Sequence, residues 1–165
     1  TCFIIADQIN DPQNLGQILR TSECAGIDGI IIPDLPQEEA EVFGKKCSEY
    51  GVHLIPLLAP TSTDERIYSA CEEAKGFVYC VSLTGVTGAR RNLSSGVDDL
   101  VLRIREFTDL PVLVGFGVSR REDVKRISQF ADGAVVGSAF LDAVSNADEG
   151  KETEVAAEFI KGLLL

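Results

Sequence analysis

The segment Pro111-Val112-Leu113-Val114-Gly115-Phe116-Gly117-Val118-Ser119 sets a short apolar run between a proline and a glycine-rich turn, and Asp132-Gly133-Ala134-Val135-Val136-Gly137-Ser138-Ala139 repeats the pattern. Runs this short, bounded by turn residues and rich in β-branched valine, read as strands. Between them Arg121–Phe130 has the spacing of an amphipathic helix. Strand, helix and strand in this order form a βα unit of a parallel sheet. The strand runs are continuous rather than alternating, which predicts burial on both faces.

The same alternation extends toward the N-terminus. Strands are predicted at Phe3–Asp7, Gly29–Pro33, Val52–Leu58, Phe77–Ser82, Pro111–Gly115 and Gly133–Gly137, six in all. Helices are predicted over Gln13–Ala25, with apolar Leu15, Ile18 and Leu19 on one face, and over Pro36–Tyr50, where Glu38, Glu39 and Glu41 suit the positive end of the helix dipole. Thr63 reads as the N-cap of a third helix, and Val97–Phe107 and Arg121–Phe130 follow. After a polar stretch from Asn146 to Lys151, Glu152–Leu165 reads as a terminal helix that packs Val155, Phe159 and Leu163 against the body. The fold class is α/β: six parallel βα units, forming either a partial TIM barrel or an open Rossmann or flavodoxin-like sheet with flanking helices. The βα period is the same in both. No linker divides the chain, so residues 1–165 are expected to form a single α/β domain.

Composition narrows the function. The chain has 165 residues and 17.8 kDa, with 45% hydrophobic and 25% charged residues, an ordinary globular balance that excludes disorder. A chain of this length buries about 70% of its unfolded surface. With 15 Lys and Arg against 26 Asp and Glu the net charge is −11, which disfavours nucleic acid, and cations are adjacent only as the scattered pairs Lys45-Lys46, Arg90-Arg91, Arg120-Arg121 and Lys125-Arg126. No apolar run reaches the roughly 18–20 residues of a membrane span, and Thr1 to Gln8 lack a secretory leader pattern, so the expected location is cytoplasmic. The lack of any Met, even at position 1, suggests a processed or excised chain.

Cys2, Cys24, Cys47, Cys71 and Cys80 include no CxxC pair and no Cys/His cluster, so reduced thiols and no metal are expected. Cys80 sits in an apolar run and Cys24, Cys47 and Cys71 on helical patterns, which reads as small buried hydrophobes. His53 reads as the start of a buried strand, and no nucleophile signature accompanies it.

Ligands of parallel βα folds collect at the carboxyl ends of the strands. Three such junctions are glycine-rich: Ser82-Leu83-Thr84-Gly85-Val86-Thr87-Gly88-Ala89, Gly115-Phe116-Gly117-Val118-Ser119 and Gly137-Ser138-Ala139. Each glycine pair alone also suits an ordinary turn. Three in successive units resemble the composite phosphate cup of many barrels, in which backbone N–H groups and a helix N-terminus meet an anion.

From Asp28 to about Val144 the chain resembles the C-terminal part of the tryptophan synthase α-subunit family, indole-3-glycerol-phosphate lyases with a TIM barrel fold. The resemblance rests on Ile32-Pro33-Asp34-Leu35-Pro36, Leu58-Ala59-Pro60-Thr61, Tyr79-Cys80-Val81-Ser82-Leu83-Thr84-Gly85-Val86-Thr87-Gly88 and the two runs quoted at the outset. It implies that Gly88, Gly117, Gly137 and Ser138 hold the substrate phosphate, with Thr87 and Phe116 beside it and Tyr79 lining the indole pocket. It places Asp34 and Pro36 in a loop that the family uses near its β-subunit partner. The family's acid–base pair, a Glu on its second strand and an Asp in the following loop, has no counterpart here. Asp7 and Asp34, at strand ends, are the carboxylates available to substitute.

Residues 5–21, Ile5-Ala6-Asp7 through Arg20-Thr21, are instead similar to the first motif of the SPOUT RNA 2'-O-methyltransferases of the TrmH/SpoU type, with Asn14 and Arg20 at the ribose-facing positions. That family's later glycine-rich motifs for S-adenosylmethionine are not found. Together these likenesses imply an engineered chimera: a SPOUT-like segment over 1–27, an α-subunit-like segment over 28–145 and a terminal helix over 146–165. The expected function is a catalytically incomplete scaffold that keeps a phosphate cup; an active lyase and a methyltransferase fragment are the alternatives. No cofactor is implied. The expected partners are a phosphorylated small molecule or inorganic anion, and a second copy pairing through open sheet edges.

Overall fold

The computed structural model describes the chain except for Thr1, Gln8, Asn10, Asp11, Asp34, Pro36, residues 82–95, Phe116 and Leu165, and except for the side chains of Pro12, Gln13, Gln37 and Glu38. In chain order its elements are β1 Phe3–Ile5, α1 Pro12–Ala25, β2 Gly29–Ile31, α2 Gln37–Glu49, β3 His53–Ile55, β4 Leu57–Leu58, α3 Asp64–Glu73, β5 Val78–Val81, α4 Val97–Arg105, β6 Val112–Gly115, α5 Arg121–Ile127, β7 Gly133–Val135, α6 Ser138–Ser145 and α7 Glu152–Leu163. Thr63 caps α3 as expected, its hydroxyl accepting the Arg66 N–H at 3.3 Å. Helix α6 was not among the helices expected from sequence, where its first residues read only as a glycine-rich junction.

All strand pairs are parallel, in the orders β1-β2-β3 and β4-β5-β6-β7. The expected strand Val52–Leu58 is divided at Pro56, which has no N–H to give to a ladder. Residues 53–55 pair with β2, residues 57–58 pair with β5, and the Pro56 carbonyl accepts the Tyr79 N–H at 3.0 Å. The segment therefore carries the ladder from one sheet to the next, and strand neighbours follow the order of the sequence.

Register then shows where the helices lie. Ile4, Ile30 and Leu54 are level across β1 to β3, and Leu58, Cys80, Val114 and Ala134 are level across β4 to β7. All seven belong to, or pack on, two apolar clusters that also hold Leu15 and Leu19 of α1, Cys47 of α2, Ile67 and Cys71 of α3, Leu100 and Ile104 of α4 and Ile127 of α5. Helices α1 to α5 thus cover one face of the strands. A doubly wound sheet reverses its strand order and carries helices on both faces. Sequential parallel strands with helices on one face are the wall of a barrel, so the partial barrel is the alternative realised.

Burial on both faces holds for β2, whose three residues are all buried. It fails for β5, which alternates between buried and half-buried, and for β1, where Phe3 and Ile5 are exposed. The cause is the one-sided helical layer. On the opposite face, large side chains lie across glycines of the next strand. A Cβ at Gly29 would stand 2.8 Å from the Phe3 ring, one at Gly133 2.9 Å from Leu113, and one at Gly115 would overlap the Tyr79 hydroxyl. Phe3 of β1 and Phe77 before β5 meet edge to face on this side, with ring centroids 5.2 Å apart. Three strand intervals separate β1 from β5, roughly 14 Å on a flat sheet at about 4.8 Å each. The contact requires the sheet to curl toward this face.

Other expectations are corrected by exposure. Cys47, Cys71 and Cys80 are buried, but Cys24 is exposed near the end of α1, and so is Cys2. His53 is also exposed, because it opens β3 and only Leu54 and Ile55 behind it are enclosed. Burial pushes the Cys47 and Cys71 thiols up to about 11 and that of Cys80 up to about 12. Helix α7 packs on α6 through Phe159 against Phe140, at 5.8 Å, and buries Leu163.

Asp132 clasps the strands that carry the last loops. Its carboxylate accepts the Val112 N–H at 2.7 Å and an Arg105 N–H at 2.6 Å. The Val112 hydrogen bond first, and then Arg105, hold the Asp132 carboxyl below its ordinary 3.8, against partial burial.

Three outcomes are expected. A folded-state pKa below the unfolded one means that Asp132 stabilises fully above its unfolded value of 3.8 and loses that contribution as pH falls through the folded value. Asp132→Asn therefore flattens the acid limb of a urea-denaturation series against pH, and an unchanged limb contradicts the clasp. Gly115→Ala costs about 1–3 kcal/mol by overpacking against Tyr79, read from chemical denaturation. Native alkylation at neutral pH modifies Cys2 and Cys24 and spares Cys47, Cys71 and Cys80 until the protein is unfolded, as peptide mass mapping will show.

Candidate anion site at the strand ends

The carboxyl ends of the last three strands lie side by side, because Val81 pairs with Gly115 and Gly115 with Val135. The chain leaves each strand on the same rim, so the segments that follow are neighbours whatever their separation in sequence. After β6, Gly117 is exposed with φ +67°, a left-handed conformation that excludes most other residues at little cost only to glycine. After β7, Gly137 is exposed and Ser138 opens α6. A Cβ built at Gly117 or Gly137 would meet no atom of the described residues within 4 Å. At these two positions the absent side chain makes room for no packed neighbour among the described residues.

The local charges suit an anion. The N-terminal turn of α6 has no acidic residue, whereas those of α3, α4, α5 and α7 all do. No side chain caps α6 at Gly137, so the positive end of its dipole is not screened from within. Arg120 and Arg121 are exposed just beyond Gly117. Asp123, in the same turn, is engaged: its Oδ2 accepts the N–H groups of Ser119 and Arg120, both at 3.2 Å.

Tyr79 is half-buried on the curled face, one position before Cys80, with its hydroxyl over Gly115. Burial, and secondarily the Cys80 thiol, pushes its phenol above the ordinary 10.0, so it is a neutral donor and acceptor at physiological pH. Gly115 was expected to let an anion approach. The structure gives it a different task, making room for Tyr79, and the signal was a large residue on the preceding strand of the same face.

Of the residues expected to bind ligand, Gly117, Gly137 and Ser138 thus share one rim and Tyr79 lines the face beneath it. Thr87, Gly88 and Phe116, with the rest of Ser82–Ala89, lie outside the described residues, as do Asp34 and Pro36. Asp7 is exposed beyond the carboxyl end of β1. Asn14 and Arg20 are both exposed on α1, but six positions of helix separate them by about 120° around the axis, so they do not converge on one group. Among the described residues no three His, Cys, Asp or Glu side chains cluster as metal ligands, and no helix is long and apolar enough to cross a membrane.

Residues 9–162 match the family model described as "Tryptophan synthase alpha chain". The tryptophan synthase alpha chain of Roseiflexus castenholzii is 47% identical over 147 residues, covering 89% of this chain and 56% of that protein. The one from Methanocaldococcus jannaschii is 50% identical over 120 residues, 73% of this chain and 43% of the relative. A solved structure of the tryptophan synthase α2β2 complex from Pyrococcus furiosus superposes with a TM-score of 0.84 at 34% identity, covering 98% of this chain and 65% of that one. The chain spans about half the length of the curated relatives it matches. The match crosses residues 27 and 28 without a break, and tryptophan synthase of Saccharomyces cerevisiae is 40% identical over 98% of this chain and 23% of its own length. Nothing marks a junction there, so the methyltransferase-like segment and the chimera find no support, and Asn14 lies within the same family match as Gly137. One parallel barrel wall, one glycine-lined rim and one unbroken likeness agree: the chain belongs to the tryptophan synthase alpha chain family.

Proposed function

We propose that this chain carries the phosphate-holding and indole-facing part of a tryptophan synthase α-type site, binding an indole-3-glycerol-phosphate-like ligand without cleaving it by itself. The observation that carries this reading is the register that puts Val81, Gly115 and Val135 side by side, so that Gly117, Gly137 and Ser138 face one space. The phosphate lies against the backbone of the two glycines and the first turn of α6, where N–H groups and the helix dipole favour an anion. The Ser138 hydroxyl adds a donor, and the family resemblance assigns Thr87, Gly88 and Phe116, which lie outside the described residues, to the same phosphate. The indole end reaches down the curled face to Tyr79.

Cleavage of the ligand's carbon–carbon bond needs one group to protonate the indole ring and another to take the glycerol proton. Among the described residues that follow β6 and β7 the carboxylates nearest in sequence are Glu122, Asp123 and Asp142, and Asp123 already holds two backbone N–H groups. Asp7 stands on the same side of the strands but at β1, at the other end of the strand order. This arrangement supports binding over turnover. Since β1 pairs only with β2 and β7 only with β6 among the described residues, both edges are free to take further strands, from a second copy or another polypeptide. The relative in the α2β2 complex supports a protein partner. The biosynthetic reading places the chain in the cytoplasm.

Calorimetry with inorganic phosphate and with indole-3-glycerol phosphate tests the site. Heat is expected with both, and more tightly with the second. Gly137→Ala, whose new methyl meets no atom of the described residues, weakens both about tenfold or more while leaving the thermal midpoint unchanged. Silence with both ligands removes the cup. Release of indole above a no-protein control removes the claim of incompleteness.

A further inference from the structure

Helices α2 and α3 leave a solvent-open cleft of about 60 Å³ above the end of β2 and the β3–β4 segment, on the helical side of the strands. Its walls are mainly apolar, with Ile32, Leu35, Leu54, Leu57, Ala70 and Ala74 among them. Arg66, Ser69, Ala70, Glu73 and Ala74 all line it, at the spacing of one stripe along α3. A stripe of this kind normally packs on the core, yet here it carries a guanidinium. Arg66 is mostly buried, and among the described residues its side chain has neither a hydrogen bond nor an ion pair. Glu41, across the cleft on α2, is bound by Lys45 and does not neutralise it.

A partly buried arginine without a partner among the described residues, set at an apolar wall, is matched by a carboxylate with an apolar tail, because a two-pronged acid group satisfies its planar donors and the tail replaces water along the wall. We propose that the α2–α3 cleft is a separate binding site for a small monocarboxylate, its acid group on Arg66 and a short branched alkyl tail lying toward Ala70 and Ala74. Ser69, one turn from Arg66, offers a further donor to the acid group. Glu73 closes the far end. It lies seven residues beyond Arg66, roughly 10 Å along the helix, so its carboxylate repels a second acid group at the tail and excludes dicarboxylates. The cleft lies between helices, away from the β5–β7 rim, and its occupancy is independent of the phosphate cup.

Titration of the isotopically labelled protein with isocaproate, followed by methyl and amide NMR, tests the site. Saturable shifts are expected at Ala70, Ala74 and Leu54, with the rim residues Gly117 and Gly137 unmoved. Isocaproamide, lacking the charge, and adipate, carrying a second one, bind at least about tenfold more weakly. Arg66→Gln loses about tenfold or more, and Arg66→Lys recovers part of the loss because it keeps the charge without the planar fork. Ala70→Leu, which fills the cleft, abolishes the shifts while the rest of the spectrum shows the fold intact. The proposal is overturned by the absence of saturable shifts, by equal affinity for acid and amide, by indifference to Arg66→Gln, or by shifts centred on the rim.

Discussion

Level registration of parallel strands is the constraint from which the rest of this structure follows. Once Val81, Gly115 and Val135 stand in one row, every residue before them is assigned to a face and every residue after them to one rim. The helical face takes Val78, Cys80, Val112 and Val114, all buried without remainder, beneath α3 to α5. The other face must curl, and it does so by setting a large side chain of one strand over a glycine of the next: Phe3 over Gly29, Tyr79 over Gly115, Leu113 over Gly133. Glycines in strands usually weaken them. Here they let neighbouring strands carry large groups on the inside of a bend, and a slip of one residue would move those groups into the helical core.

Two kinds of glycine therefore coexist within a few residues and do opposite things. Gly115 is buried and occupied by its neighbour, while Gly117 and Gly137 are exposed and have no packed neighbour among the described residues. Only the second kind leaves backbone N–H groups approachable by a ligand. The two are indistinguishable in a glycine-rich string such as Gly115-Phe116-Gly117 until the pairing of β5 with β6 is known. At the opposite end of the same strands the Asp132 clasp joins the end of α4, the start of β6 and the turn into β7.

Much of the architecture was legible beforehand for a simple reason. Short β-branched runs and amphipathic stretches are local signals, and the strands and first five helices appear within one to three residues at their ends. Thr63 was readable as a cap because a hydroxyl three residues before an N–H is a local geometry. Helix α6 escaped because it is short, its first residues read as the glycine-rich junction after β7, and its ring contact is with Phe159 of α7. Cys24 and His53 were misplaced because helical spacing and strand membership do not say which flank of an element the neighbours cover. The Asn14 and Arg20 likeness failed for a related reason: similarity over one strand and helix is weak when the same segment also continues a longer match.

Sequence alone determined the βα period, the glycine junctions, the family likeness from Asp28 onward and the negative charge of −11, since each depends on residue type and spacing along the chain. Tertiary structure decided between barrel wall and doubly wound sheet, because strand order and the side taken by the helices are long-range facts that a period of alternation does not encode. It also separated the glycine that yields to Tyr79 from those that stand exposed on the rim. That distinction rests on which atoms of the next strand lie opposite, and only folding brings them there.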